Sequence, residues 1–185
     1  MTKLLIILSV LSSFLTNLET KTLQSDFTVT VAEEVSSPMN YPGSLTMQGS
    51  KFLLSMFSIQ AAYDGKTLYM YTPDIDELTL TEPTEQELLE ANPFLYANAL
   101  VDACNVTERA SGEQTIITLT PKDQSIGINR FVLKIRTSDL MPLQLEIKEG
   151  KKITTLKLKA PKFVTTPQSY KIDPEESTYV NDLRF

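Results

Sequence analysis

After Asp26, apolar and polar positions alternate with a period of two through most of this chain. Phe27, Val29 and Val31 are interleaved with Thr28 and Thr30, which places the apolar side chains on one face of a strand. Ser36-Ser37-Pro38 and Tyr41-Pro42-Gly43 mark a connection, and Leu45 and Met47 then alternate up to a turn at Gly49-Ser50. Lys51 to Ile59 is nearly continuous apolar and predicts one strand covered on both faces. From Ala61 to Tyr71, an Asp64-Gly65 turn joins two runs rich in aromatic and β-branched residues, a strong hairpin signal. Pro73-Asp74 bends the chain again before a short alternating run, Glu77 to Thr81.

The period changes at Pro83. Thr84 followed by Glu87 forms a helix capping box, and Leu88-Leu89 continues helically. Asn92-Pro93 interrupts this helix, and Phe94 to Leu100 resumes it up to Val-Asp-Ala-Cys104. Further strands are predicted over Thr115–Thr120, Arg130–Arg136, Leu143–Glu149 and Lys151–Lys159, with an extended tail from Tyr170 to Phe185. No repeat or linker divides the chain, so residues 1–185 read as a single domain.

Residues 1–20 leave two readings open. Lys3 followed by the apolar run Leu4 to Leu15 has the layout of a secretory signal, but the first Ala is Ala32 and no Ala-x-Ala cleavage site is present. Alternatively, Leu4, Ile7, Leu8, Leu11, Phe14, Leu15 and Leu18 recur at helical spacing and predict an amphipathic helix.

Composition narrows the chemistry. The chain has no His, which removes the commonest general base and metal ligand, and its one Cys, Cys104, can build neither an internal disulfide nor a thiolate metal site. Cys104 reads as a small buried apolar residue. There is no Gly-x-Ser-x-Gly elbow, so the sequence points away from an enzyme and calls for no cofactor and no metal. A net charge of −6 argues against nucleic acid or an anionic membrane surface as the main partner of the chain as a whole. Asn105-Val106-Thr107 matches the N-glycosylation pattern, and nothing else in the sequence invokes it.

A mostly antiparallel sheet with a broken helix amid its strands, and another helix ahead of them, predicts a mainly β fold. Its expected form is a strongly curved antiparallel sheet, an incomplete β-barrel, with a helical lid over an apolar cavity. Packing of the helices as plain core on the concave face is the other outcome that composition allows.

The order of features resembles the LolA-type outer-membrane lipoprotein carriers, and looks closest to their Bacteroidetes-like branch. The matching segments are Leu23-Gln24-Ser25-Asp26-Phe27, Gly43-Ser44-Leu45 leading to Lys51-Phe52, and Tyr63 to Tyr71 with Pro73-Asp74. Asn92-Pro93-Phe94 and Tyr170-Lys171-Ile172-Asp173-Pro174 through Asn181 to Arg184 complete the series. The resemblance covers nearly the whole chain.

It implies a periplasmic chaperone that holds the acyl chains of lipoproteins and carries them from the inner to the outer membrane. The partners it implies are acylated lipoproteins, an inner-membrane lipoprotein-releasing ABC transporter complex and an outer-membrane receptor, with the carrier a monomer. The alternative is a lipid-binding or lipoprotein-sensing module on the same scaffold. Candidate cavity-wall residues are Phe27, Val29, Leu45, Met47, Phe52, Leu54, Met56, Tyr69 and Tyr71, and candidate lid residues are Phe94, Leu95 and Leu100. Only one parity per strand can face the cavity. Phe52 matches an aromatic position linked in the family to transfer from the release complex. One departure stands out: many family members carry a lid-holding Arg before this strand, whereas this chain has Gln48-Gly49-Ser50, with Lys51 the nearest cation.

Overall fold

A computed structural model describes residues 9–33, 36–166 and 168–184. Helix α1 (Ser9–Thr20) leads into a meander of six strands: β1 (Thr22–Glu33), β2 (Ser36–Gln48), β3 (Lys51–Met56), β4 (Ile59–Tyr63), β5 (Leu68–Thr72) and β6 (Glu77–Thr81). Helices α2 (Glu85–Ala91) and α3 (Leu95–Ala99) connect it to a second meander, β7 (Cys104–Ser111), β8 (Gln114–Pro121), β9 (Arg130–Arg136), β10 (Met141–Glu149) and β11 (Lys152–Val164). A tail ends in β12 (Tyr179–Asp182).

All twelve strands form one open sheet in the order β12-β6-β5-β4-β3-β2-β1-β11-β10-β9-β8-β7. The two meanders join where β1 pairs antiparallel with β11, from Thr22 opposite Val164 to Ala32 opposite Ile153. Every pairing is antiparallel except that of β12 with β6.

Register divides the sheet into two faces. The inner face presents Phe27, Leu45, Met47 and Phe52 from the first meander, and Ile117, Leu119, Phe131, Leu133 and Leu145 from the second. These residues are buried in one core cluster with Leu11, Phe14 and Leu18 of α1 and with Phe94, Ala97 and Leu100. Phe27 fits beneath Gly43, where an added Cβ would come within 2.4 Å of the ring. The glycine therefore makes room for the largest side chain of β1.

The opposite, outer face carries a smaller cluster of Ala62, Tyr69, Leu78 and Leu80, with Leu53, Tyr71 and Ile172 packed against it. The tail covers it. Tyr170 is buried beside Thr22, Lys171 lies 3.8 Å from Asp64, and Thr178 donates to Asp76 at 2.9 Å. Asp76, at φ 47°, also accepts from the Tyr71 hydroxyl, which ties the tail to β5 and β6.

Several expectations need correction. The apolar run Lys51 to Ile59 is two strands, because Phe57 and Ser58 both adopt left-handed backbone angles (φ 56° and 61°) in a tight turn. No Gly or Asn marks that turn, and Phe57 is 52% exposed while its ring meets that of Tyr41 in a tilted contact, centroids 4.3 Å apart. Cys104 opens strand β7 instead of ending a helix, and the alternation of Cys104, Val106 and Ala110 along β7 is broken by Glu108 on its inward side. In the N-terminal helical pattern, Leu11, Phe14, Leu15 and Leu18 lie on α1, whereas Leu4, Ile7 and Leu8 fall outside the described residues.

Candidate functional site

The site begins with how the lid is built. The Thr84 hydroxyl accepts from the Glu87 N–H, and the Glu87 carboxylate accepts from the Thr84 N–H at 2.7 Å, so α2 starts with a complete capping box. These Thr84 bonds hold the Glu87 carboxyl below its ordinary value. Pro93 then stops the helix, since its ring excludes the residue before it from helical geometry. Asn92 fills the break: its Oδ1 accepts from the Phe94 N–H at 3.1 Å and its Nδ2 lies 3.8 Å from the Met47 sulfur. Asn92 is fully buried, so this weak sulfur contact is what the amide has in place of water. It ties the corner of the lid to the floor of the inner face.

Between α1 and the α2–α3 segment lies a cavity of about 280 Å³. Leu15 and Leu18 form one wall, Leu88, Leu89, Phe94, Leu95 and Ala99 the other, and Met47 the floor. Gly49 and Ser50 of the β2–β3 turn stand at its edge with Glu19, Glu85 and Asn98. The volume is just under the ~300–1,000 Å³ of pockets that enclose drug-sized ligands. Around it the inner face is filled, with Phe14, Phe27, Phe52 and Phe94 each at most 1% exposed. The helices thus pack on a filled inner face and leave a small apolar gap at one end.

The candidate cavity-wall residues divide by register. Phe27, Val29, Leu45, Met47, Phe52, Leu54 and Met56 share the inner face, with the first five buried and Leu54 and Met56 packed at the margin. Of these, Met47 lines the cavity. Tyr69 and Tyr71 are on the outer face, opposite Ala62 and Leu78, and their expected place belongs to Met70 between them. An aromatic can be buried there because the tail supplies Ile172 as a cover, which alternation within β5 does not reveal. Of the candidate lid residues, Phe94 and Leu95 line the cavity from the side of the α2–α3 segment, and Leu100 is buried in the core beyond it. The residues missed are Leu15, Leu18, Leu88, Leu89 and Ala99. Their signal was present in the amphipathic spacing of α1 and in the Leu-Leu pair after the capping box.

Lys51 does not replace a lid-holding Arg. Phe52 points to the inner face, so its neighbour Lys51 is directed outward, exposed and away from the lid. Contacts to the helices come from elsewhere. Glu108, opposite Ile117 on the inner face of β7, accepts from the Leu11 N–H at 3.0 Å.

Reactive chemistry is sparse. Burial pushes the Cys104 thiol up, partly countered by Lys122, which leaves it a poor nucleophile. Burial likewise raises the Tyr96 hydroxyl, with Glu149 and Glu90 adding to the shift. No group of acidic or Cys side chains among the described residues is placed to hold a metal ion. No helix among the described residues is long and apolar enough to cross a membrane. The arrangement is suited to enclosing apolar groups.

Among solved structures, the chain is similar to an uncharacterized conserved protein from Thermus thermophilus. The two are 16% identical with a TM-score of 0.61, over 94% of this chain and 96% of that one. It is also similar to the MucA/MucB complex structure of Pseudomonas aeruginosa, at 12% identity and TM-score 0.51, over 86% of this chain and 57% of that one. A putative outer membrane lipoprotein-sorting protein domain from Vibrio parahaemolyticus matches at 10% identity and TM-score 0.46, over 88% of this chain and 94% of that one. No curated protein matches the chain. The family model for the outer membrane lipoprotein carrier protein LolA matches residues 19–171, from the end of α1 through the start of the tail, and the chain belongs to the LolA family.

Proposed function

We propose that this protein is a periplasmic chaperone that takes the acyl chains of lipoproteins between its helical lid and the inner face of its sheet and carries them from the inner to the outer membrane. The observation that carries this reading is the apolar cavity between α1 and the α2–α3 segment, floored by Met47, in a chain of the LolA family. Each methylene withdrawn from water contributes about 0.8 kcal/mol, so acyl chains need a shield to cross an aqueous space. A gap of about 280 Å³ is a foothold for one chain end, and a larger cargo is admitted by moving the lid off the packed floor. Cavity burial and lid opening then stand nearly in balance, so the cargo is bound and yet released.

The proposed partners are acylated lipoproteins, an inner-membrane ABC transporter complex that loads the carrier and an outer-membrane receptor that unloads it, with the carrier acting as a monomer. The test is native mass spectrometry of the protein co-expressed with a triacylated lipoprotein. A one-to-one complex is expected, lost when the cargo's acylated Cys is replaced. It is weakened at least ten-fold by Leu88→Glu, which puts a charge into the apolar lining. Absence of any acyl-dependent complex overturns the reading.

A second reading is a lipid-binding or lipoprotein-sensing module. The outward direction of Lys51 favours it, because this chain then lacks the cation by which many relatives hold the lid. Binding of free lipids without lipoprotein transfer would select it.

A further inference from the structure

Charge is unevenly distributed over this acidic chain. Residues 130–162, which span β9 to β11, contain nine Lys and Arg against three acids, whereas the rest of the chain has eight against twenty. Register puts the surplus on one side of the sheet. Lys134, Gln144 and Lys157 form a cross-strand row, Asp26 is opposite Lys159, and Gln24 is opposite Lys162. All of these alternate with inward-facing neighbours and lie on the outer face.

The two arginines of this region are already engaged, Arg130 with Glu146 and Arg136 with Asp139, each at 2.8 Å. Lys134, Lys148, Lys157, Lys159 and Lys162 have no ion-pair partner among the described residues. The tail crosses the outer face of the first meander and leaves this part of the sheet uncovered.

We propose that the outer face of β9–β11 is a docking surface for an anionic phospholipid bilayer. Two properties select a lipid surface over an acidic protein. Specific protein interfaces are depleted in Lys and centred on buried aromatic or Arg anchors, whereas this face is rich in Lys, presents no aromatic ring and has both arginines paired to acids. Lysines spaced across adjacent strands, ~10 Å apart for Lys134 and Lys157, act instead as hydrated point charges. These suit a diffuse layer of phosphates. The acidic lid helix, with Glu85, Glu87 and Glu90, covers the other side of the sheet, so the bilayer repels it. A docked molecule therefore rests on its sheet with the lid in water, and the cavity is held away from the lipid. This surface stands on charge and register alone and is independent of what the cavity carries.

The test is co-sedimentation of the full chain with vesicles of mixed phosphatidylcholine and phosphatidylglycerol at low salt, against vesicles of pure phosphatidylcholine. Binding is expected to the anionic vesicles only and to fade as salt is raised. Lys157→Gln with Lys159→Gln should weaken it roughly five-fold per lysine. Lys51→Gln with Lys66→Gln, which removes the same charge from the other end of the sheet, should leave it nearly unchanged. Unaltered circular dichroism and melting of both variants exclude misfolding as the cause. Equal binding to neutral vesicles, no binding to anionic ones, or equal loss in the two double variants overturns the proposal. So does retention on immobilised polyglutamate at a salt concentration where vesicles no longer bind, because that result assigns the face to an acidic protein.

Discussion

Glu108, on the edge strand β7, accepts a hydrogen bond at 3.0 Å from the backbone N–H of Leu11 in α1, ninety-seven residues earlier. The contact joins the last strand of the sheet to the helix that lies against the inner face. Burial raises the Glu108 carboxyl above its ordinary value, and the bonds from Leu11 and Val10 only partly counter this. The charged form is thus penalised by its surroundings while the acceptor oxygen is useful.

Glu108→Gln separates the two effects by keeping an acceptor and removing the charge. Because the folded carboxyl is raised, its stabilising contribution is fully present below the ordinary value of 4.5 and is lost as pH rises through the folded value. Thermal melts should show the Gln variant more stable than the wild type at neutral pH, with the difference closing at acid pH. Glu108→Ala, which removes the acceptor as well as the charge, should be about 1–2 kcal/mol less stable than Glu108→Gln at neutral pH.

Asp64 works in the opposite direction. Burial raises its carboxyl, but the Thr67 and Lys66 N–H groups, the Tyr69 hydroxyl and Lys171 together outweigh it and leave the group lowered. Its contribution is present above the ordinary value of 3.8 and disappears as pH falls through the lower folded value. In melts recorded from neutral to acid pH, Asp64→Asn should flatten the loss of stability in that window relative to the wild type.

Phe94 is 1% exposed and both seals the core and lines the cavity. Phe94→Ala should destabilise the fold by about 3–5 kcal/mol in urea titration, as truncation of a buried aromatic does. It should also raise the affinity for an apolar fluorescent probe, because the gap under the lid grows.

The turn between β3 and β4 stores strain that a better sequence would relieve. Phe57 and Ser58 have φ 56° and 61°, angles that suit Asn and Gly. Phe57→Asn with Ser58→Gly should stabilise the protein by about 1–2 kcal/mol, read by urea titration. The gain is reduced by loss of the tilted Phe57–Tyr41 ring contact.

How far the fold was legible followed from how local each signal is. The capping box at Thr84, the break at Asn92-Pro93 and the hairpin at Asp64-Gly65 each depend on a few adjacent residues, and all three appear in the structure. The inner-face parity of Phe27, Leu45, Met47 and Phe52 follows from alternation within single strands. What escaped depends on distant chain. Tyr69 and Tyr71 are outward because a tail about a hundred residues later supplies their cover, and β7 is a strand because β8 pairs with it. The Phe57-Ser58 turn was hidden for another reason: its residues are the wrong types for the angles they adopt. The cavity combined both cases. Its leucines were visible as helical faces, but which of them border a gap depends on how α1 meets α2.

The pairing of β1 with β11 also bears on the order in which the molecule can assemble. Each meander forms through neighbouring hairpins, which close short loops and order quickly. Their junction, with Thr22 opposite Val164, waits on nearly the whole chain and sets the slow step expected for such non-local topology. Helices α2 and α3 sit in the connection between the two halves, so the lid gains a complete floor only when that seam closes. Until then the apolar surfaces of the inner face are open to any neighbouring chain, and the rate of the seam sets how long the newly made protein must avoid its own kind.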